Sequence, residues 1–287
     1  MKSEKKWIPY AFLLPNMLIF AIFVGLPAIF GVVYAFTEWN GLSDPVFIGI
    51  ENFVTIFTDD EFWSMLVRTM LYVIFVVPLT VMSALALAWL LTRGLKGSGF
   101  FRAVFFLPVM ISFIVSGLIW NWILQTDTGL INFLLNTMNI GSVEWLSNSF
   151  FANLSVVMVT IWSRVGFFML IFVAGLQSIS PALYEAAEID GAGPWKKFLK
   201  VTIPMLRPIT LLVIILSFIE FFKTFALVVS LTGGGPINAT TYYVQYTYDT
   251  AFELGNFGLG SALSLVLFVI MAIVTLVQWK VSNGGRV

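Results

Sequence analysis

The chain has 287 residues, 59% of them hydrophobic and only 10% charged, with a mean hydropathy of +0.96 and a formal net charge of zero. An average soluble domain carries about 25% charged residues, so this is the composition of a membrane protein, and its balanced charge gives no reason to expect nucleic acid as a partner. Cysteine and histidine are both absent, which excludes disulfides, thiolate and imidazole chemistry and the metal sites that need those ligands.

Crossing about 30 Å of hydrocarbon at 1.5 Å per residue takes roughly 20 apolar residues. In chain order the sequence offers six such runs, at 10–36, 69–92, 103–124, 151–176, 209–231 and 258–279. The first follows Lys2, Lys5 and Lys6, yet it is about twice the length of a signal-peptide core and no small-residue cleavage site follows it, so it reads as a retained span. Arg93, Lys96 and Arg102 lie between the second and third runs. Lys196, Lys197, Lys200 and Arg207 lie between the fourth and fifth, and Lys280 and Arg286 at the end. The alternate loops hold only Arg68 among the basic residues, with acids such as Glu51, Asp60, Asp127, Glu144 and Asp249. Because cytoplasmic loops retain lysine and arginine, both termini are expected in the cytoplasm. The chain reads as one multi-pass, all-α membrane domain over 1–287. Pro15, Pro27, Pro78 and Pro108 fall within its spans and should kink them. Trp7, Trp39, Trp63, Trp120, Trp122, Trp145, Trp162 and Trp279 mostly lie near span ends, where an interfacial belt explains them without a ligand.

Charge concentrates in the loop 178–208, between the fourth and fifth runs. Ser180-Pro181 suits an N-cap and first helical position, and good helix formers run from Leu183 to Asp190, ahead of Gly191. Gly193-Pro194 should open a second short helix, Trp195 to Val201, that Pro204 and Pro208 stop before the next span. Ala186 and Ala187 allow close approach by another surface, while Glu185 and Asp190 suit pairing with basic groups or capping of backbone amides. A solvated loop resting on lipid headgroups would also have this composition.

The order of residues is more specific. EAAEIDGAGPWKKFLKVTIPMLRP, from Glu185 to Pro208, resembles the EAA loop of permease subunits of ATP-binding-cassette importers. Nearly the whole chain is similar to the sugar-importer branch of that family, which includes maltose and glycerol-phosphate permeases. The resemblance is carried by Phe47 to Phe53, Gly166-Phe167, Ala174 to Ile179, LTGGGPINAT from Leu231 to Thr240, and Gly260-Ser261-Ala262. Arg68 departs from it, standing where the branch usually has asparagine. The resemblance implies a type I importer permease fold, with Tyr184, Glu185, Ala186, Ala187, Asp190 and Gly191 forming a cytoplasmic coupling helix on an ATPase subunit. It also implies a second permease, expected to make a heterodimer, two ATPase subunits that use ATP and magnesium, and an extracytoplasmic binding protein. A carbohydrate substrate and a bacterial cytoplasmic membrane complete the set. The chain itself is expected to bind no cofactor or metal and to catalyse no reaction.

Ionisable groups at membrane depth cost several kcal/mol unless paired or wet. Arg164, Glu220 and Lys223 lie within the fourth and fifth runs. Glu220 and Lys223, three apart, fit mutual neutralisation without a transport role. Alternatively, Ser217, Glu220, Phe221 and Thr224 share one helical face by their i, i+3, i+4, i+7 spacing, and the resemblance places the sugar path along the matching stretch of maltose permeases. Arg164 and Lys223 leave an anionic sugar open as a substrate. Gly233 to Pro236 lacks the lysine and hydroxyl of a phosphate loop and reads as a turn. An ion-coupled secondary transporter or a channel is the rival function, sharing the hydrophobicity but having no need of the EAA loop. An enzyme is disfavoured, since no second carboxylate is evident beside Glu220.

Overall fold

The computed structural model describes residues 8–94 and 96–282. Lys2, Lys5, Lys6, Trp7 and Arg286, which entered the reading of orientation and belt, lie outside the described residues. In chain order the helices are α1 (Ile8–Phe20), α2 (Leu26–Tyr34), α3 (Glu51–Thr58), α4 (Asp60–Leu91), α5 (Ser98–Phe106), α6 (Phe113–Ile123), α7 (Leu130–Thr137) and α8 (Ser149–Gln177). They continue as α9 (Pro181–Ile189), α10 (Pro194–Lys197), α11 (Ile203–Met205), α12 (Arg207–Phe222), α13 (Ala226–Leu231), α14 (Tyr243–Tyr248) and α15 (Phe257–Val281). Two two-residue strands, β1 (Thr37–Glu38) and β2 (Val46–Phe47), pair antiparallel with Thr37 opposite Phe47.

Four helical stretches are long and apolar enough to span alone: Phe12–Tyr34, Asp60–Leu91, Ser149–Gln177 and Phe257–Val281. Two more expected spans are bent pairs. Ser98–Met110 meets Phe113–Ile123 at 99°, and Pro194–Met205 meets Arg207–Phe222 at 66°. The third run, expected as one helix over 103–124, therefore breaks at Ile111 and Ser112, just after Pro108 sits in a 3-10 turn; Ser112 caps α6 by accepting from the amide of Val115. The fifth run is also not one helix over 209–231. α12 stops at Phe222, Lys223 to Phe225 are non-helical, and α13 resumes at Ala226.

Proline has different consequences at different places. Pro27 and Pro204 each follow a π-helical turn by two residues, Ala21–Gly25 and Phe198–Thr202 respectively. A proline lacks the N–H that would donate to the carbonyl four residues back and its ring clashes with that carbonyl, and a widened turn accommodates both effects. Pro204 therefore does not end the helical track as expected, and α11 carries it to Met205. Pro78 lies inside α4 without breaking it.

Cα packing divides the chain into two compact units. In the unit of residues 1–63 and 247–270, the buried amide of Asn52 donates to the carbonyls of Ala35 (3.0 Å) and Thr37 (2.9 Å), tying α3 to the end of α2. Gly258 donates to the carbonyl of Trp39, and a Cβ there would strike the carbonyl oxygen of Thr37. In the unit of residues 64–246 and 271–287, α8 is the central post, burying Val156, Val159, Phe168, Met169 and Phe172. At 29 residues it is about 43 Å long. Gly166 on α8 lets α5 approach so closely that a Cβ would overlap the carbonyl of Phe105.

Candidate functional site

Two features of the second unit coincide with the residues the sequence singles out. The first is the loop after α8. Pro181 occupies the first turn of α9, where its missing amide hydrogen costs nothing. Ser180 precedes it in an extended conformation, but its hydroxyl makes no cap bond. α9 ends in a Schellman motif: Gly191 donates to the carbonyl of Glu188 (2.9 Å) and Ala192 to that of Ala187 (2.9 Å). Gly191 takes the left-handed conformation this requires, at φ +71°. No residue of α9 is buried, and Ile189 is 88% exposed.

This loop is braced by contacts although it is exposed. Tyr184 shares a hydrogen bond of 3.0 Å with Thr202, joining α9 to the π-helical turn. Lys197 Nζ lies 2.7 Å from Glu188 Oε2, so the acid that pairs with a base is Glu188; Glu185 and Asp190, expected in that role, form no ion pair among the described residues. The lysine's hydrogen bond, reinforced by its charge, holds the Glu188 carboxyl below its ordinary value. Trp89 near the end of α4 packs on Phe198 (centroids 4.5 Å apart) and on Trp195 (6.1 Å), and the guanidinium of Arg93 stands 3.6 Å from the centre of the Trp89 ring. Such contacts are each worth about 0.5–1.5 kcal/mol. A cleft of about 650 Å³ lies beside them, its walls including Trp89, Arg93, Gln177, Tyr184, Glu185 and Lys197.

The second feature is a polar cluster deep in the helices. Arg164 Nε on α8 lies 2.7 Å from Glu220 Oε1 on α12, with side-chain exposures of 21% and 30%. The N–H is not aligned on the oxygen, so the contact is an ion pair rather than a linear hydrogen bond. The guanidinium also stacks 4.1 Å from the centre of the Phe113 ring on α6. Glu220 is thus neutralised across helices, and the expected pairing with Lys223 is replaced. Lys223 is exposed and makes no ion pair among the described residues. Nearby, the buried hydroxyl of Tyr72 on α4 shares a 2.9 Å hydrogen bond with Thr160 on α8, and the Thr224 side chain interacts with it too.

The four residues expected on one helical face separate in the structure. Ser217 is fully buried, and its hydroxyl donates to its own helix at Val213 (2.7 Å) and Ile214 (3.1 Å). Phe221 is buried against Phe168 on α8. Thr224 lies past the end of α12. Glu220, Thr224, Arg164 and Lys223 retain access to the surface.

Residues that sequence reasoning left unexplained have clear places. Arg68 donates to the carbonyl of Asn238 and to Ser64 (2.9 Å), while Asn153 donates to the carbonyl of Ala239 (3.1 Å) and accepts from Tyr242 (2.8 Å). With Thr69 accepting from the amide of Tyr243 (3.0 Å), these bonds pin the Gly-Gly-Gly-Pro loop to α4 and α8. Only the departure at Arg68 signalled this in the sequence.

Comparison with known proteins places the chain in a family. Residues 62–282 match the family described as the inner membrane component of binding-protein-dependent transport systems. The chain is 34% identical to the probable starch degradation products transport system permease protein AmyD of Thermoanaerobacterium thermosulfurigenes, over 94% of this chain and 91% of that one. It is 31% identical to the trehalose/maltose transport system permease protein MalF of Thermococcus litoralis, over 100% and 97%. A solved bacterial ABC transporter for the acidic polysaccharide alginate contains a chain of the same fold, with a TM-score of 0.81, 22% identity and 98% and 96% coverage. The structure of an alginate transporter in complex with an alginate pentasaccharide-bound periplasmic protein gives a TM-score of 0.82 at 24% identity, over 97% and 95%. The fold is helical apart from the short β1–β2 pair and polytopic, that of a type I importer permease, and the chain belongs to the family of inner membrane components of binding-protein-dependent transport systems, the permease subunits of ABC importers.

Proposed function

We propose that this chain lines the path and supplies the lever of an ATP-driven importer that brings a carbohydrate into the cytoplasm by alternating access. The names of the relatives, which transport starch degradation products, trehalose and maltose, support the carbohydrate class, as do the two alginate transporters. The observation that carries the reading is α9: a C-capped, braced and wholly unburied helix just after the long helix α8. In this reading Tyr184, Glu185, Ala186, Ala187, Asp190 and Gly191 dock on an ATPase subunit. That subunit binds ATP and magnesium; this chain binds neither. Two ATPase subunits, a second and different permease subunit and an extracytoplasmic binding protein complete the assembly, and both termini of this chain face the cytoplasm. Closure of the ATPases pushes α9, the stroke passes directly into α8 and through the brace at Trp89 into α4, and hydrolysis resets it. Arg164, Glu220, Lys223 and Thr224 face the path; Ser217 and Phe221 support it from within.

Reconstitution with the partner subunits tests this. Uptake should require ATP and the binding protein, and Glu185→Ala or Gly191→Asp should abolish uptake while the ATPase continues to turn over. Uptake that persists without the ATPase subunits, driven by an ion gradient, would establish the rival secondary transporter instead.

A further inference from the structure

We infer that Lys223 is a charge-selecting residue of the path and that the substrate is an acidic carbohydrate, one bearing a carboxylate or phosphate. This rests on the carbohydrate-importer reading above and narrows it.

Two independent observations converge on Lys223. The first is charge. Lys223 follows the 16 residues of α12, so it lies about 24 Å along the helix from Arg207, within the reach of a hydrocarbon core about 30 Å thick. An ammonium there must still meet water or an anion. Glu220, three residues back on α12, lies against Arg164 on α8 and forms no ion pair with Lys223. Arg164, Glu220 and Lys223 therefore leave a net charge of +1, carried on the exposed Lys223.

The second is backbone. α12 ends at Phe222 and α13 starts at Ala226, with Phe225 far from helical geometry at φ −142°, ψ −64°. Non-helical backbone at membrane depth survives only where protein buries it or a watery cavity solvates it. Lys223 is exposed and Thr224 partly so, which favours the watery cavity. Interrupted helices line substrate sites in transporters. The ammonium has three donors to give an anionic group, and the adjacent Thr224 hydroxyl suits the neutral hydroxyls of the same sugar.

The test uses the complete transporter in proteoliposomes, with uptake of a neutral glucose trisaccharide compared with that of a uronic-acid trisaccharide. The wild type should prefer the uronate. Lys223→Met should raise the half-saturating uronate concentration about tenfold or more, as expected for loss of one charged hydrogen bond, while Lys223→Arg stays within about threefold. Lys223→Gln reads the same loss should the methionine variant fail to assemble. A wild type that prefers the neutral trisaccharide, or uronate uptake indifferent to removal of the charge, overturns the inference and leaves carbohydrate import standing. ATP-driven uptake of neither sugar sinks both.

Discussion

At the scale of single residues, glycines decide how closely the backbone can pack and where helices end. A Cβ at Gly191 would meet nothing within 4 Å, so Gly191→Ala isolates the cost of the left-handed backbone, about 1 kcal/mol. The expected result is faster amide exchange in the last turn of α9, with thermal stability of the membrane helices unchanged. Gly166→Ala has the opposite character, because its Cβ would meet the backbone of Phe105 and Phe106 rather than a yielding side chain. It should destabilise the protein by about 1–3 kcal/mol, visible as a lower melting temperature in detergent. The sequence identified both glycines through the resemblance but carried the physical reason for Gly191 only, since a C-cap is local. The close approach at Gly166 joins residues about sixty apart, and Arg68 meets Asn238 at a separation of 170. No local pattern encodes such meetings. Within the charged loop 178–208, the elbow between α8 and α12, the sequence suggested Glu185 and Asp190 as ion-pair partners, when the fold of α10 presents Lys197 to Glu188 instead.

At the scale of elements, hydropathy revealed that six stretches are apolar but not that two of them break. Pro108 marked the first break; Lys223 to Phe225 contain neither glycine nor proline, and their interruption coincides with the tertiary contact of Thr224 with Tyr72. The Arg164–Glu220 pair joins α8 to α12, the helices that flank the elbow on either side. Glu220→Gln leaves the guanidinium facing a neutral amide in a partly desolvated place and should cost about 1–3 kcal/mol. Arg164→Glu and Glu220→Arg should each lower the melting temperature alone, and their combination should recover much of that loss in a double-mutant cycle; no recovery would mean that the two charges act separately. The Lys197–Glu188 clasp makes a different prediction, about pH. Its folded carboxyl titrates below the ordinary 4.5, so its stabilisation is present above that value and is lost as pH falls through the depressed one. Mild acid should therefore loosen α10 from α9 by amide exchange, and Glu188→Gln should remove that acid step.

At the scale of the whole molecule, the exposed apolar residues of the elbow require an explanation that the chain alone does not supply. Ile189 is 88% exposed, Trp195 62% and Leu183 42%, beside Glu185 and Asp190 in a segment too charged to enter hydrocarbon. Burying an isoleucine side chain is worth about 1.5–3 kcal/mol, and the bracing by Tyr184, Lys197 and Trp89 has already removed much of the conformational freedom that docking would otherwise restrict. A pre-ordered apolar knob is thus suited to a partner that grips it, whereas a loop lying on headgroups needs no such bracing. Ile189→Asp should consequently weaken retention of the ATPase subunits on the purified permease by about tenfold or more and abolish coupled uptake, without lowering the melting temperature of the permease itself. A cysteine at Ile189 should form a cross-link to an ATPase subunit that changes in yield between the nucleotide-free and ATP-bound transporter. If Ile189→Asp co-purified with its full complement of ATPase and the cysteine reacted only with lipid or small reagents in both states, the elbow would not be the lever, and the path of force from ATP to α8 would have to run elsewhere.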